Sequence, residues 1–157
     1  MSGISRKAGG LLLALICGLS LWCGLAGAEN TTVMLPDGRH SVQIPAEMEY
    51  QAPAAEEKDL RGIFLMPPDL EMLVFAYDMP GMTIQGLAET LTGAGRTAET
   101  REIGGKEFLV FQDTDEADGT SCVGYSYLEG DQMVEVTFFY ATQAAMDLTW
   151  TIMESFH

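Results

Sequence analysis

Residues 120–140, TSCVGYSYLEGDQMVEVTFFY, constrain the fold of this chain more than any other stretch. Two extended, β-rich runs flank Gly130-Asp131, and a two-residue turn between such runs sets a hairpin register. That turn pairs Leu128 with Met133, Tyr127 with Val134, Tyr125 with Val136, Val123 with Phe138 and Cys122 with Phe139. Side chains alternate along a strand, so Val123, Tyr125, Tyr127, Val134, Val136 and Phe138 share one face, which must be core. The opposite face carries Cys122, Gly124, Ser126, Glu135, Thr137 and Phe139. Its mixed character predicts a face only partly covered.

The remaining elements follow from turn and cap chemistry. Thr32–Leu35 and His40–Ile44 read as a hairpin around Pro36-Asp37-Gly38. YQAPAAEEKDL is poor in apolar residues, broken by proline, and reads as a loop. GIFLM and EMLVFAY are strands bracketing Pro67-Pro68-Asp69. A helix capped by Thr83 places Ile84, Leu87, Ala88 and Leu91 on one face, with Met82 and Leu87 as its staple. Gly93 and Gly95 end it, and Gly86 inside it costs roughly 1 kcal/mol relative to Ala. TAETREI and KEFLVFQ form a hairpin around Gly104-Gly105. TQAAMDLTWTIMESFH reads as a helix capped by Thr142, with Ala145, Leu148, Ile152 and Phe156 on its apolar stripe. Met146, Trp150 and Met153 widen that stripe, so the helix should lie flat on a sheet. No sequence repeat is visible. The fold class is α+β, an antiparallel sheet flanked by two helices.

Residues 1–28 read as a cleaved secretory signal peptide. Arg6 and Lys7 precede an apolar run from Leu11 to Leu25, and Ala26-Gly27-Ala28 is a small-residue cleavage pattern. As a membrane anchor the stretch from Leu11 to Ala28 is barely long enough against the about 20 apolar residues a span needs, and it contains Gly18, Gly24 and Gly27. Ile16 and Trp22, before Cys17 and Cys23, do not suit a lipoprotein signal. Cleavage leaves a single domain, residues 29–157, beginning at Glu29, in the periplasm or secreted. Losing Arg6 and Lys7 takes the formal charge from −15 to −17. Such a surface disfavours nucleic acid and anionic membranes. Cys122 is then the one remaining thiol, so packing must hold the fold without an internal disulfide.

Each chemistry-bearing group has a plain structural alternative. A nucleophilic Cys122 needs a nearby cation or helix N-terminus. Its sequence neighbours are instead Asp113, Asp115, Glu116, Asp118, Glu129 and Asp131, so the thiol reads as a small apolar side chain. The stretch Asp113, Asp115, Glu116, Asp118, Gly119 could offer oxygens to Ca²⁺. It lacks EF-hand spacing, with Ala117 at a ligand position and Gly124 where the bidentate Glu belongs. Met79 and Met82 could offer thioethers to Cu(I), against the ordinary use of Met as a core filler. His40 and His157 form no zinc spacing. No phosphate loop, nucleophile elbow or cofactor motif is present.

The element order, with SVQIP near the start and GYSYLEGDQMVEVTFFY and MDLTWTIMESFH at the end, resembles the PsbP-like group. That group comprises photosystem extrinsic proteins and small exported bacterial relatives, whose fold is an antiparallel sheet sandwiched between helices. The resemblance covers nearly all of residues 31–157. It implies a non-enzymatic accessory or binding domain, places variation at the APAAEEKD loop, and carries over no individual functional residue. The reading is thus a non-catalytic exported domain for an unknown protein or small ligand, without a cofactor. The alternatives are metal handling through Met79 and Met82 or the 113–119 loop, and an enzyme using Cys122.

Overall fold

The computed structural model describes residues 29–114 and 120–157. Residues 1–28, read as a signal peptide and holding Cys17 and Cys23, lie outside the described residues. So do Asp115, Glu116, Asp118 and Gly119 of the acidic loop.

Nine strands and two helices are present among the described residues. β1 (Thr31–Met34) and β2 (Ser41–Ile44) form a separate two-stranded sheet. The other strands are β3 (Glu49–Gln51), β4 (Leu60–Met66), β5 (Leu70–Asp78), β6 (Ala98–Ile103), β7 (Lys106–Thr114), β8 (Ser121–Glu129) and β9 (Gln132–Tyr140). They build one antiparallel sheet in the order β3-β4-β5-β9-β8-β7-β6. α1 (Ile84–Gly93) lies between β5 and β6 in the chain, and α2 (Gln143–Glu154) follows β9.

The β8–β9 register is the one expected from the turn, pair for pair from Cys122↔Phe139 to Leu128↔Met133. All six residues assigned to its core face are buried. They join Val42, Ile44, Phe108, Ile152, Met153 and Phe156 in one cluster, so the β1–β2 hairpin and α2 cover this face. α1 lies on the other face, where Leu87, Leu109 and Met133 form a smaller cluster edged by Tyr77 and Leu128. Both helices carry the expected caps. Thr83 Oγ accepts from the Gly86 amide at 3.0 Å and Thr142 Oγ from the Ala145 amide at 3.2 Å.

Three expectations need correction. Tyr50 and Gln51, read as loop, belong to β3, where Tyr50 pairs with Phe64. Leu60, the other end of that segment, opens β4; the backbone of both ends is held by the neighbouring strand despite a weak apolar pattern. The stripe of α2 centres on Ala145, Thr149, Ile152 and Met153, while Leu148 is only partly buried. Thr149 sits in the core because its hydroxyl donates to Met146 O at 2.8 Å and also bonds Tyr125. A buried hydroxyl so partnered carries little of its desolvation cost. On α1, Leu87 alone is fully buried, and Ile84, Ala88 and Leu91 are partly so.

Gly104 is required twice over. Its φ is +56°, and a Cβ there would lie 2.5 Å from the Phe156 carbonyl oxygen. The β6–β7 turn is thereby pressed against the end of the chain. That end is in turn stitched to β2, with Ser41 N–H donating to His157 O (3.0 Å) and His157 N–H to Ser41 O (3.2 Å).

Candidate functional site

On the sheet face that carries α1, the row Tyr77, Met133 and Leu128 lies under the helix, and three cross-strand rows follow it along the strands. Phe75, Glu135, Ser126 and Leu109 form the first of these, nearest the helix. Leu73, Thr137, Gly124 and Phe111 form the second, and Glu71, Phe139, Cys122 and Asp113 the third. α1 is too short to reach beyond the first row and packs at Leu109, Met133 and Tyr77. Over the remaining rows the sheet forms an open concavity of about 580 Å³, with Leu73, Phe75, Phe111, Cys122, Glu135, Thr137 and Phe139 among its lining residues. This is the mixed face of the hairpin, as expected.

Gly124 shapes the floor. A Cβ there would fall 2.2 Å from the Phe111 ring, so the ring lies flat across the strand where a side chain would stand. Arg96, just after α1, places its guanidinium 5.5 Å from the Phe111 ring centroid and its Nε 3.5 Å from Asp113. Glu135, in the middle of β9, accepts from Thr137 Oγ1 at 2.8 Å and from Ser126 Oγ at 3.2 Å. It has no ion pair among the described residues. Directly across the strand, the Phe75 ring stacks on Tyr77, centroids 5.8 Å apart and 12° from parallel. Burial, with the Glu135 and Asp59 carboxylates, pushes Tyr77 up to about 12.

Cys122 is half-buried at one end of this concavity, opposite Phe139, as the hairpin register implied. The fold does bring it a cation that its sequence neighbours lack, since Arg96 acts on it and lowers its pKa. Burial and the Asp113 carboxylate outweigh that effect, and the thiol stands above its ordinary value. A thiol of this kind is a poor nucleophile at neutral pH. Iodoacetamide should therefore alkylate Cys122 in the folded protein more slowly than it alkylates free cysteine at pH 7. Rates measured by mass spectrometry at or above that of free cysteine would overturn the assignment.

The other candidate residues lie apart. Met79 and Met82 occupy the turn before α1, where Met82 N–H donates to Met79 O, and both side chains pack on the Leu87 cluster. Asp113 stands on β7, bonded to Arg96 and to the Thr114 amide; Asp115 and Asp118 lie outside the described residues. No group of three His, Cys, Asp or Glu side chains among the described residues is arranged to hold a metal ion. None of their helices is long and apolar enough to cross a membrane.

A second polar assembly, missed in the sequence, closes the opposite side of the molecule. Asp37, read only as a turn residue, has a side chain 1% exposed. It accepts from Tyr127 Oη and His40 Nδ1, each at 2.6 Å, and from the amides of Arg39 and His40 at 2.9 and 3.0 Å. Burial alone would raise its pKa, but the hydrogen bonds, Tyr127 first, hold it down at about 2. The His40 ring stacks on Phe156, with centroids 4.8 Å apart, and Glu129 bridges Arg39 and Lys106 nearby. With every acceptor oxygen engaged and the rings packed, this cluster is a clamp between the β1–β2 turn, β8 and the C-terminus. A DGRH turn is visible in the sequence; the residue that meets it, Tyr127, is 90 positions away.

Solved structures place this architecture. The solution structure of cyanobacterial PsbP (CyanoP) from Synechocystis sp. PCC 6803 superposes with a TM-score of 0.62 at 14% identity, covering 88% of this chain and 98% of that one. The fold is PsbP-like. A crystal structure from Bacteroides thetaiotaomicron matches at TM-score 0.59 and 11% identity, over 80% of this chain and 47% of its own. The Saccharomyces cerevisiae Ran-binding protein Mog1p aligns at 0.47, with 12% identity over 83% of this chain and 96% of its own, too loosely to bear on function. No family model and no curated protein matches the chain. The PsbP-like resemblance drawn from the element order is therefore correct at the level of fold, as is the α+β class with a helix on each face of the sheet.

Proposed function

We propose that this chain is an exported, non-catalytic binding or accessory domain, and that it binds through the open half of the sheet face beside α1. The observation that carries the reading is the concavity itself. A soluble sheet normally buries its apolar face, yet three phenylalanines here line a depression of about 580 Å³ that no element among the described residues covers. That volume falls in the range of small-molecule sites, and the lining sets Leu73 and the three phenylalanines beside polar groups that include Arg96, Asp113, Glu135 and Thr137. The raised pKa of Cys122 supports binding rather than covalent catalysis, because the concavity's thiol is held in its unreactive form. The likeness to a PsbP protein adds an analogy of fold and no ligand.

Amide chemical-shift mapping on the isotopically labelled protein, titrated with a set of small aromatic fragments, tests the site. The expected perturbations cluster on Leu73, Phe75, Phe111, Cys122, Thr137 and Phe139. Fragments that bind only elsewhere, or none that bind at all, would remove the support for this face. Export is tested separately by the intact mass of protein recovered from the envelope fraction. The expected species begins at Glu29, and a membrane-bound species retaining Met1 would refute cleavage.

A further inference from the structure

Two carboxylates stand beside aromatic rings in the concavity, and the fold supplies a cation to only one of them. Asp113 and the Phe111 ring hold the Arg96 guanidinium between them, at 3.5 Å and 5.5 Å. This is the arrangement in which ring quadrupole and carboxylate attract a cation together. Glu135 repeats the pattern two rows away, with Phe75 directly opposite on β5 and Phe139 four residues further along β9. Two hydroxyls, from Ser126 and Thr137, fix both of its oxygens. No Lys, Arg or His among the described residues pairs with it.

The surroundings carry the same sign. The depression sharing Phe139 contains Asp69 and Glu71. The one sharing Leu73 and Phe75 contains Glu56, Glu57 and Asp59 against the single Lys58. With a formal charge of −15 on the chain, the potential over this face favours cations and repels anions. A held carboxylate, lined by rings, inside a cavity sized for a small molecule, selects for charge and apolar body at once.

We propose that the concavity takes a small organic monocation with an apolar or aromatic body, its ammonium or guanidinium group set against Glu135 and its body against Phe75 and Phe139. The inference rests on the binding role proposed for this face and adds the class of ligand. An anionic or neutral amphiphile of the same size would desolvate the Glu135 charge with two hydroxyls but no countercharge against it, which costs affinity.

The test compares three probes of one shape: phenethylammonium, 2-phenylethanol and 3-phenylpropionate. Each is titrated into the isotopically labelled protein and followed by the amide shifts of β5, β8 and β9. The expected order is cation, then alcohol, then carboxylate, with the cation roughly tenfold tighter than the alcohol. Glu135→Gln should erase the preference for the cation, bringing its affinity to about that of the alcohol. Phe139→Leu, which shortens the apolar wall that meets the shared body, should weaken the cation and the alcohol alike. Equal affinities for cation and alcohol, or a preference that survives Glu135→Gln, would overturn the ligand class while leaving the binding face intact. Failure of all three probes to shift residues on this face would overturn both readings together.

Discussion

Deleting residues 143–157 should leave a chain with no cooperative unfolding transition, and Ile152→Ala should cost about 2–5 kcal/mol, as large-to-small changes at buried positions do. Ile152 is 1% exposed, Met153 is fully buried and Phe156 is 3% exposed, all in the main cluster. Phe156 also meets the Phe108, Tyr127 and His40 rings at centroid distances of 4.9, 5.3 and 4.8 Å. Removing the segment would uncover the core face of β8 and β9 and break the backbone pairing of Ser41 with His157. The exposed apolar surface would then exceed what a soluble monomer tolerates. Chemical denaturation followed by far-UV circular dichroism measures both effects, and Trp150 fluorescence follows Ile152→Ala as a second probe. Trp150 is partly exposed beside Arg101, 5.3 Å from its ring centroid, so a soluble quencher should reach it in part. A truncated protein that still unfolds cooperatively with near-normal stability would overturn the assignment of α2 as core.

Asp37→Ala should destabilise the protein by about 2–4 kcal/mol, because it strands the buried Tyr127 hydroxyl and takes the acceptor from the partly exposed His40 ring and the amides of Arg39 and His40. The pH dependence follows in sign from the depressed carboxyl. Asp37 titrates at about 2 in the folded protein against an ordinary 3.8. Its contribution is therefore present above about pH 4 and is lost as pH falls through about 2. The gap corresponds to about 2 kcal/mol at neutral pH. Asp37→Asn retains the shape without the charge, so the difference in stability between it and the wild type should shrink as the pH is lowered from 4 to 2. Urea titrations of both proteins across that range check this. A constant difference would mean that the carboxylate is not the group whose protonation loosens the clamp.

The local parts of the fold were legible because each is decided by a few adjacent residues. Gly130-Asp131 set the β8–β9 register, and a slip of one position would have moved Val134, Val136 and Phe138 out of the core. Thr83 and Thr142 marked both helix starts, since a hydroxyl that satisfies a free amide acts within three residues. β3 was not legible. Its three residues carry no apolar alternation, and the edge pairing of Tyr50 with Phe64 depends on β4 having already formed. Thr149 was passed over for Leu148 because periodicity weighs polarity, whereas a buried hydroxyl depends on whether Tyr125 and a carbonyl stand ready to bond it.

What the sequence determined by itself was therefore the α+β class, the core face of the hairpin and the order of most elements. These follow from period, turn and cap, all of which act over a few residues. Only the tertiary structure decided that β5 closes against β9, which joins Phe75 to Glu135 across sixty residues of chain. The same holds for Arg96 beside Cys122 and Phe111, and for Tyr127 on Asp37. Contacts of this kind are selected by how whole layers pack and by how far α1 reaches along the sheet. No local pattern encodes them, and the concavity is made of them.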